Sequence, residues 1–99
     1  SIKFMQVKYM STKIGRVFNG IISGINDRGV FVETEESKAE GFIQIKNVPG
    51  DYFIYNEKEI LLTGRHTKEE YRLGDSIKIK VDGVNEIKNQ INYTLLEKT

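Results

Sequence analysis

The sequence predicts a small all-β domain, a closed five-stranded barrel carrying an inserted hairpin and preceded by one helix. Three observations point there. Apolar residues alternate with polar ones over short runs, most clearly in Ile77-Lys78-Ile79-Lys80-Val81, the period of a half-buried strand. Turn residues recur every eight to twelve positions or so, the spacing of a sandwich or barrel. The chain has only 99 residues, enough for one core, and closing a few strands on themselves is the simplest way to leave no exposed sheet edge.

The elements follow in order. Lys3 to Ile14 reads as a helix. At about 100° per residue, Ile2, Met5 and Tyr9 fall on one side and Val7, Met10 and Ile14 on nearly the opposite one. A lone surface helix needs a single apolar stripe, so two stripes predict a helix held between two bodies, this domain and another outside the chain. Gly15 is placed to end it. From Arg16 the period changes to that of a strand running to Ile25, with Phe18, Gly20 and Ile22 on one face and Asn19, Ile21 and Ser23 on the other. Asn26-Asp27-Arg28-Gly29 is a turn in which Gly29 can take a positive φ. Val30 to Glu33 is the second strand, with Val30 and Val32 inward and Phe31 and Glu33 outward. Thr34 to Glu40 reads as an acidic loop, and Gly41 to Ile45 as a third strand with Ile43 and Ile45 alternating with Phe42 and Gln44. Pro49-Gly50-Asp51 breaks the pattern. Tyr52–Tyr55 and Glu59–Thr63 form a hairpin whose Tyr52, Phe53 and Tyr55 are expected as local core. Gly64 to Glu70 is a polar turn. Leu73-Gly74-Asp75 leads into the fourth strand at Ile77–Val81, Asn85 to Asn89 turn, and Gln90 to Leu96 is the last strand, with Ile91 and Tyr93 inward.

Composition bounds the function. Hydrophobic residues make up 38% and charged residues 29% of the chain, a globular composition. No apolar run approaches the roughly 18 residues of a membrane span, so no membrane partner is expected, and the N-terminus shows no signal-peptide succession. There is no cysteine, which removes disulfides and thiolate metal sites and fits a reducing compartment. The net charge is only +1, so nucleic-acid binding cannot be argued from bulk basicity and must rest on local charge and exposed rings. Glu33, Glu35, Glu36 and Glu40 cluster and read as a solvated turn that any polyanion would avoid. Asp27, Asp51, Asp75 and Asp82 are scattered over turns and strand ends and are not expected to hold a metal. His66, the one histidine, has no Ser, Cys or metal constellation around it.

The first half of the chain resembles the S1 RNA-binding family. The residues that carry the resemblance are Gly15, Gly20-Ile21-Ile22, Gly29-Val30-Phe31-Val32 and Gly41-Phe42-Ile43-Gln44, followed by Gly74-Asp75 and the alternating Ile77, Ile79 and Val81. The middle segment is similar to the S1 domain of ribonuclease R-like exoribonucleases. It reads Asp51-Tyr52-Phe53-Ile54-Tyr55-Asn56-Glu57, then Leu62-Thr63-Gly64-Arg65, then Tyr71-Arg72-Leu73-Gly74-Asp75. Ordinary S1 repeats lack this tyrosine-rich insert. Tyr9-Met10 with Ile14-Gly15 also resembles that family's junction between catalytic and S1 domains.

The resemblance implies an antiparallel OB-fold barrel of the S1 type over residues 15–99, with residues 1–14 as the tail of a catalytic domain. It implies a parent enzyme that hydrolyses RNA from the 3′ end with magnesium held by aspartates elsewhere, so that this chain itself has no cofactor and no catalytic group. A serine at residue 1, where an initiator methionine would stand, fits a segment of a longer chain. The abundant Ile, Lys and Asn hint at an AT-rich bacterial genome, and a bacterial cytoplasm is expected. The partners implied are single-stranded RNA and the catalytic domain of the same parent chain, with the fragment itself a monomer.

Single strands are held by ring or guanidinium stacking on bases and by cations along phosphates. Phe31 occupies the family's stacking position. Arg28 replaces the family's aromatic just before Gly-x-Phe and can stack or meet phosphate. Gln44 stands where the family has histidine, Asn85 where it has aspartate, and Gln90 where it has a basic residue, although glutamine is common there in ribonuclease R-like sequences. Lys78 and Lys80, sharing one outward face, are candidates for phosphates, as are Lys13, Arg16, Lys46 and Lys88. The alternatives to an RNA guide are a protein-docking module, with the two-striped helix and exposed aromatics as its surface, and a stand-alone S1 protein of translation or transcription, against which the helix and the insert argue.

Overall fold

The computed structural model describes the backbone of residues 2–99 and the side chains of residues 5–99. Its elements are a helix α1 (Ile2–Ser11) and the strands β1 (Val17–Asn26), β2 (Gly29–Thr34), β3 (Glu40–Gln44), β4 (Phe53–Asn56), β5 (Leu61–Gly64), β6 (Glu70–Arg72), β7 (Ser76–Asn85) and β8 (Gln90–Lys98). The predicted barrel is present and closed, in the order β1-β2-β3-β8-β7. Its pairings are antiparallel except the closing one, where β3 and β8 run parallel through Phe42 and Asn92. The core is apolar and largely β-branched. Ile22, Val30, Val32, Ile43, Ile77, Ile79, Val81 and Ile91 are all fully buried, each contributing on the order of 1.5–3 kcal/mol of transfer free energy.

The strand alternation reads through faithfully in β2, β3 and β7. In β1 it does not. Ile22 and Ile25 both point inward, which a strict period of two forbids, because the pairing with β2 slips by one residue between Ile22 and Gly24. Such a bulge turns the following side chains over and tightens the strand's curl. The third strand stops at Gln44, one residue earlier than predicted. Ile45 opens a 3-10 turn, Ile45–Asn47, because its N–H leaves the ladder to bond Arg28 O at 2.8 Å.

The helix is shorter than predicted. It ends at Ser11, and Thr12 and Lys13 close it with N–H bonds to Tyr9 O and Met10 O, the tighter i→i+3 pattern of a helix end. Gly15 therefore does not terminate the helix. It takes a φ of 87° where the chain turns onto the barrel, and its N–H donates to Val81 O at 2.8 Å. Val7 and Met10 are buried against the barrel, whereas Ile14, predicted on the same stripe, lies beyond the helix and is exposed. Gln6 Nε2 adds a bond to Lys38 O at 3.1 Å. On the other stripe Met5 is 65% and Tyr9 48% exposed, and the Ile2 side chain falls outside the described residues.

The insert is a three-stranded sheet, β4-β5-β6, and not a hairpin. Glu70–Arg72 pairs with Leu61–Thr63, a strand too short to show alternation in sequence. Phe53, Leu61, Leu62 and Tyr71 are its buried hydrophobic residues, and Phe53 and Tyr71 meet edge to face at 5.3 Å. Burial, with Glu69 close by, pushes the Tyr71 hydroxyl up to about 12. Tyr55 packs partly against this core. Tyr52 does not join it, being 68% exposed.

Asp51 knots the insert together. Its carboxylate accepts N–H bonds from Tyr52 (2.6 Å), His66 (2.8 Å) and Thr67 (2.7 Å) and the Thr67 hydroxyl (2.9 Å). These donors, led by Thr67 N–H, hold the carboxyl far below the usual carboxylate range. A pKa depressed on folding stabilises the fold above the unfolded value near 3.8, and that contribution is lost as pH falls below it. Asp51→Asn is therefore expected to lower the urea midpoint at pH 7, with the gap to the parent narrowing at pH 3. A gap of equal size at both pH values would show that the carboxylate's charge does not matter.

Candidate nucleic-acid interface

The outer surface of the barrel carries one row of side chains that crosses all five strands. In register it reads Gly24 on β1, Phe31 on β2, Phe42 on β3, Asn92 on β8 and Gly83 on β7. Phe31 and Phe42 are directly opposed, with ring centroids 5.0 Å apart and planes tilted by 53°. Both are half-buried, so each ring keeps part of its surface for a ligand. Gly24 makes room beside them. A Cβ there would lie 3.3 Å from the Phe31 ring.

The surface differs in charge at the two ends of β2 and β3, on either side of this row. At one end Arg28, Gln44, Ile45 and Lys46 border a groove with Phe42. Arg28 is presented by the β1–β2 turn, where Asn26 Oδ1 accepts the N–H groups of Arg28 (2.8 Å) and Gly29 (3.2 Å), a side-chain-built turn of the Asx type. At the other end Glu40, Gly41, Gln90 and Ile91 border a small cleft with both phenylalanines. Glu33 sits opposite Glu40, and Ser23 Oγ donates to Glu40 at 3.4 Å. Glu33 faces outward on β2 beside Phe31, as its alternation predicted, whereas Glu40, expected in the acidic loop, opens β3 opposite it. Phosphates are favoured at the Arg28–Lys46 end and repelled at the Glu33–Glu40 end.

Of the residues singled out in sequence, Phe31, Arg28, Gln44 and Gln90 thus gather around the aromatic pair. Asn85 faces Gln90 across the β7–β8 ladder, but its Oδ1 accepts Lys88 N–H at 3.0 Å and so builds the turn. Lys80 lies one row away, opposite Thr94, whose hydroxyl donates to Asp82. Lys78 is further off and is 3.5 Å from Glu97. Sequence reasoning did not select Phe42 or Asn92, although both alternate with inward residues and the signal was available. Among the described residues no group of three or more His, Cys, Asp or Glu side chains could hold a metal, and no helix is long and apolar enough to cross a membrane.

Comparison with known proteins agrees with this geometry. The S1 RNA binding domain family matches residues 11–95. Ribonuclease R of Aquifex aeolicus is 35% identical over 99% of this chain, and ribonuclease R of Mycoplasma genitalium 31% identical over 94% of it. The chain spans only 14% and 13% of those two proteins. The solved structure of Mycoplasma genitalium RNase R, both apo and in complex with ribose methylated single-stranded RNA, superposes with a TM-score of 0.91 over 95% of this chain and 15% of that one, at 31% identity. An aromatic pair on an OB-type barrel and a family match over most of the chain lead to one assignment: the chain belongs to the S1 RNA-binding domain family.

Proposed function

We propose that this chain is the single-stranded-RNA-binding S1 domain of a ribonuclease R-like 3′-to-5′ exoribonuclease of the bacterial cytoplasm. Residues 15–99 bind the strand and guide it. Residues 1–14 join them to the catalytic part of the parent, where hydrolysis and its magnesium reside. The exposed Met5–Tyr9 side of α1 is assigned to docking on that part. The observation that carries the reading is the opposed Phe31–Phe42 pair, lying between a groove bordered by Arg28, Gln44 and Lys46 and the amides Gln90 and Asn92. Bases stack on the rings, the amides hydrogen-bond base or ribose edges, and Arg28 and Lys46 meet phosphate. Lys78 and Lys80 add long-range attraction.

Titration of the monomeric chain with a labelled oligoribonucleotide tests this. Binding is expected at low salt and should weaken steadily as salt rises. Phe31→Ala should weaken it by roughly fivefold to 150-fold, the equivalent of about 1–3 kcal/mol for one stacked base. Absence of binding at low salt, or an unchanged affinity in a folded Phe31→Ala variant, would remove the reading. Light scattering on the same samples checks the monomer.

A further inference from the structure

We infer that Tyr52 is a second stacking platform, by which the insert extends the RNA site beyond the barrel. The inference rests on the RNA-binding reading above and adds a subsite to it. The groove beside Phe42 does not end at the barrel. Ile45 and Lys46, which line it with Arg28 and Gln44, also line a second groove of about 460 Å³ between the β1–β2 turn, the 3-10 turn and the insert. Asp27, Asp51, Tyr52, Phe53, Ile54 and Tyr55 complete its lining. A strand lying on Phe42 and passing Lys46 therefore enters a groove walled by two tyrosines.

The Tyr52 ring is large, 68% exposed and held by a fixed backbone. Tyr52 N–H donates to Asp51 Oδ1 at 2.6 Å and Tyr52 O accepts Arg65 N–H at 2.8 Å. A stacking surface on a backbone already bonded at both groups loses little freedom when a base settles on it. Charge sorts the contacts along this path. Asp27 and the ionised Asp51 carboxylate both line the groove, whereas Arg28 and Lys46 stand at its junction with the aromatic row, so phosphate is held at the junction and the contact offered at Tyr52 is stacking of a base. The occupant that fits is the continuation of the same single strand, because the groove is continuous with the aromatic row and its cations stand where the two join.

The test compares two oligouridylates, of about four and about twelve nucleotides, bracketing much of the roughly 4–16 nucleotides held per OB-fold. The longer one is expected to bind the parent chain more tightly. Tyr52→Ala should weaken the longer by about tenfold, the size of one lost stack, and leave the shorter within about twofold. Tyr52→Phe, which keeps the ring, should retain the parent affinity for both. Phe31→Ala should weaken both lengths. Full affinity of Tyr52→Ala for the longer oligonucleotide, alongside a weakened Phe31→Ala, would overturn the inference and leave this face to a protein partner. Equal losses at both lengths, or a parent chain indifferent to length, would overturn it too. An unaffected Phe31→Ala would instead remove the underlying RNA-binding reading.

Discussion

Gly29→Ala is expected to cost about 3–5 kcal/mol and to lower the melting temperature by more than 10 °C. Two causes act together. Gly29 has a φ of 154°, outside the conformations that side-chain-bearing residues adopt readily, a strain of order 1–3 kcal/mol. A Cβ there would also lie 2.0 Å from Ile43 O and 2.9 Å from Ile45 N, and an overpacked contact costs roughly 1–3 kcal/mol more. The clash is with backbone, so no side chain can swing aside. Relief requires β2 and β3 to separate where Gly29 pairs with Gln44, and where Ile45 N–H bonds Arg28 O. In a domain of this size each kcal/mol corresponds to about 4–8 °C. A thermal melt followed by circular dichroism measures the shift, and a melting point within about 3 °C of the parent would refute the argument. The same movement displaces Arg28 and Gln44, so any variant that remains folded should also bind RNA less tightly.

The second large effect is expected at Gly41. A Cβ there would meet the Tyr93 ring at 2.4 Å, 2.6 Å and 2.8 Å. That ring cannot retreat. Tyr93 is 2% exposed, and its hydroxyl donates to Ala39 O at 2.9 Å. Burial pushes the phenol well above its ordinary pKa, so it stays a donor at any ordinary pH. Gly41→Ala should therefore cost about 2–3 kcal/mol by overpacking. Tyr93→Leu alone should cost on the order of 1–3 kcal/mol, through the lost hydrogen bond and the space left, although Ala39 O keeps Thr34 N–H at 3.2 Å. The double variant should be more stable than the two single losses added together predict. Chemical denaturation of all four proteins closes the cycle, and additive losses would mean that the glycine and the ring do not press on each other.

How much of this was legible in sequence differs from element to element. Ile77–Val81 and Val30–Val32 could be read directly, because every second residue of those runs is buried and burial is what the alternation records. β6 could not be read, because three residues show no period and Tyr71 is buried by partners distant in the chain, the β5 strand it pairs with and the Phe53 ring. The helix was read three residues too long because Ile14 was assigned to its second stripe from hydrophobicity alone, whereas Ile14 lies beyond the helix and is exposed. Tyr52 was taken for core with Phe53 and Tyr55 for the same reason. Hydrophobic character says that a ring gains by leaving water, and the fold decides whether anything is there to receive it.

By itself the sequence determined the barrel class, the turns, the inward faces of most strands, and Phe31 as an outward aromatic. These depend on each residue's own neighbours along the chain, through period and turn chemistry. Only the tertiary structure decided the rest. It placed Phe42 against Phe31, closed the barrel through the parallel contact of Phe42 with Asn92, set Gln90 beside Glu40 and left Lys78 with Glu97. The physical reason is that a site on a closed sheet is made of cross-strand neighbours. Pairing register, bulges and closure bring those together from distant parts of the chain, and none of the three is written into the periodicity of any one strand.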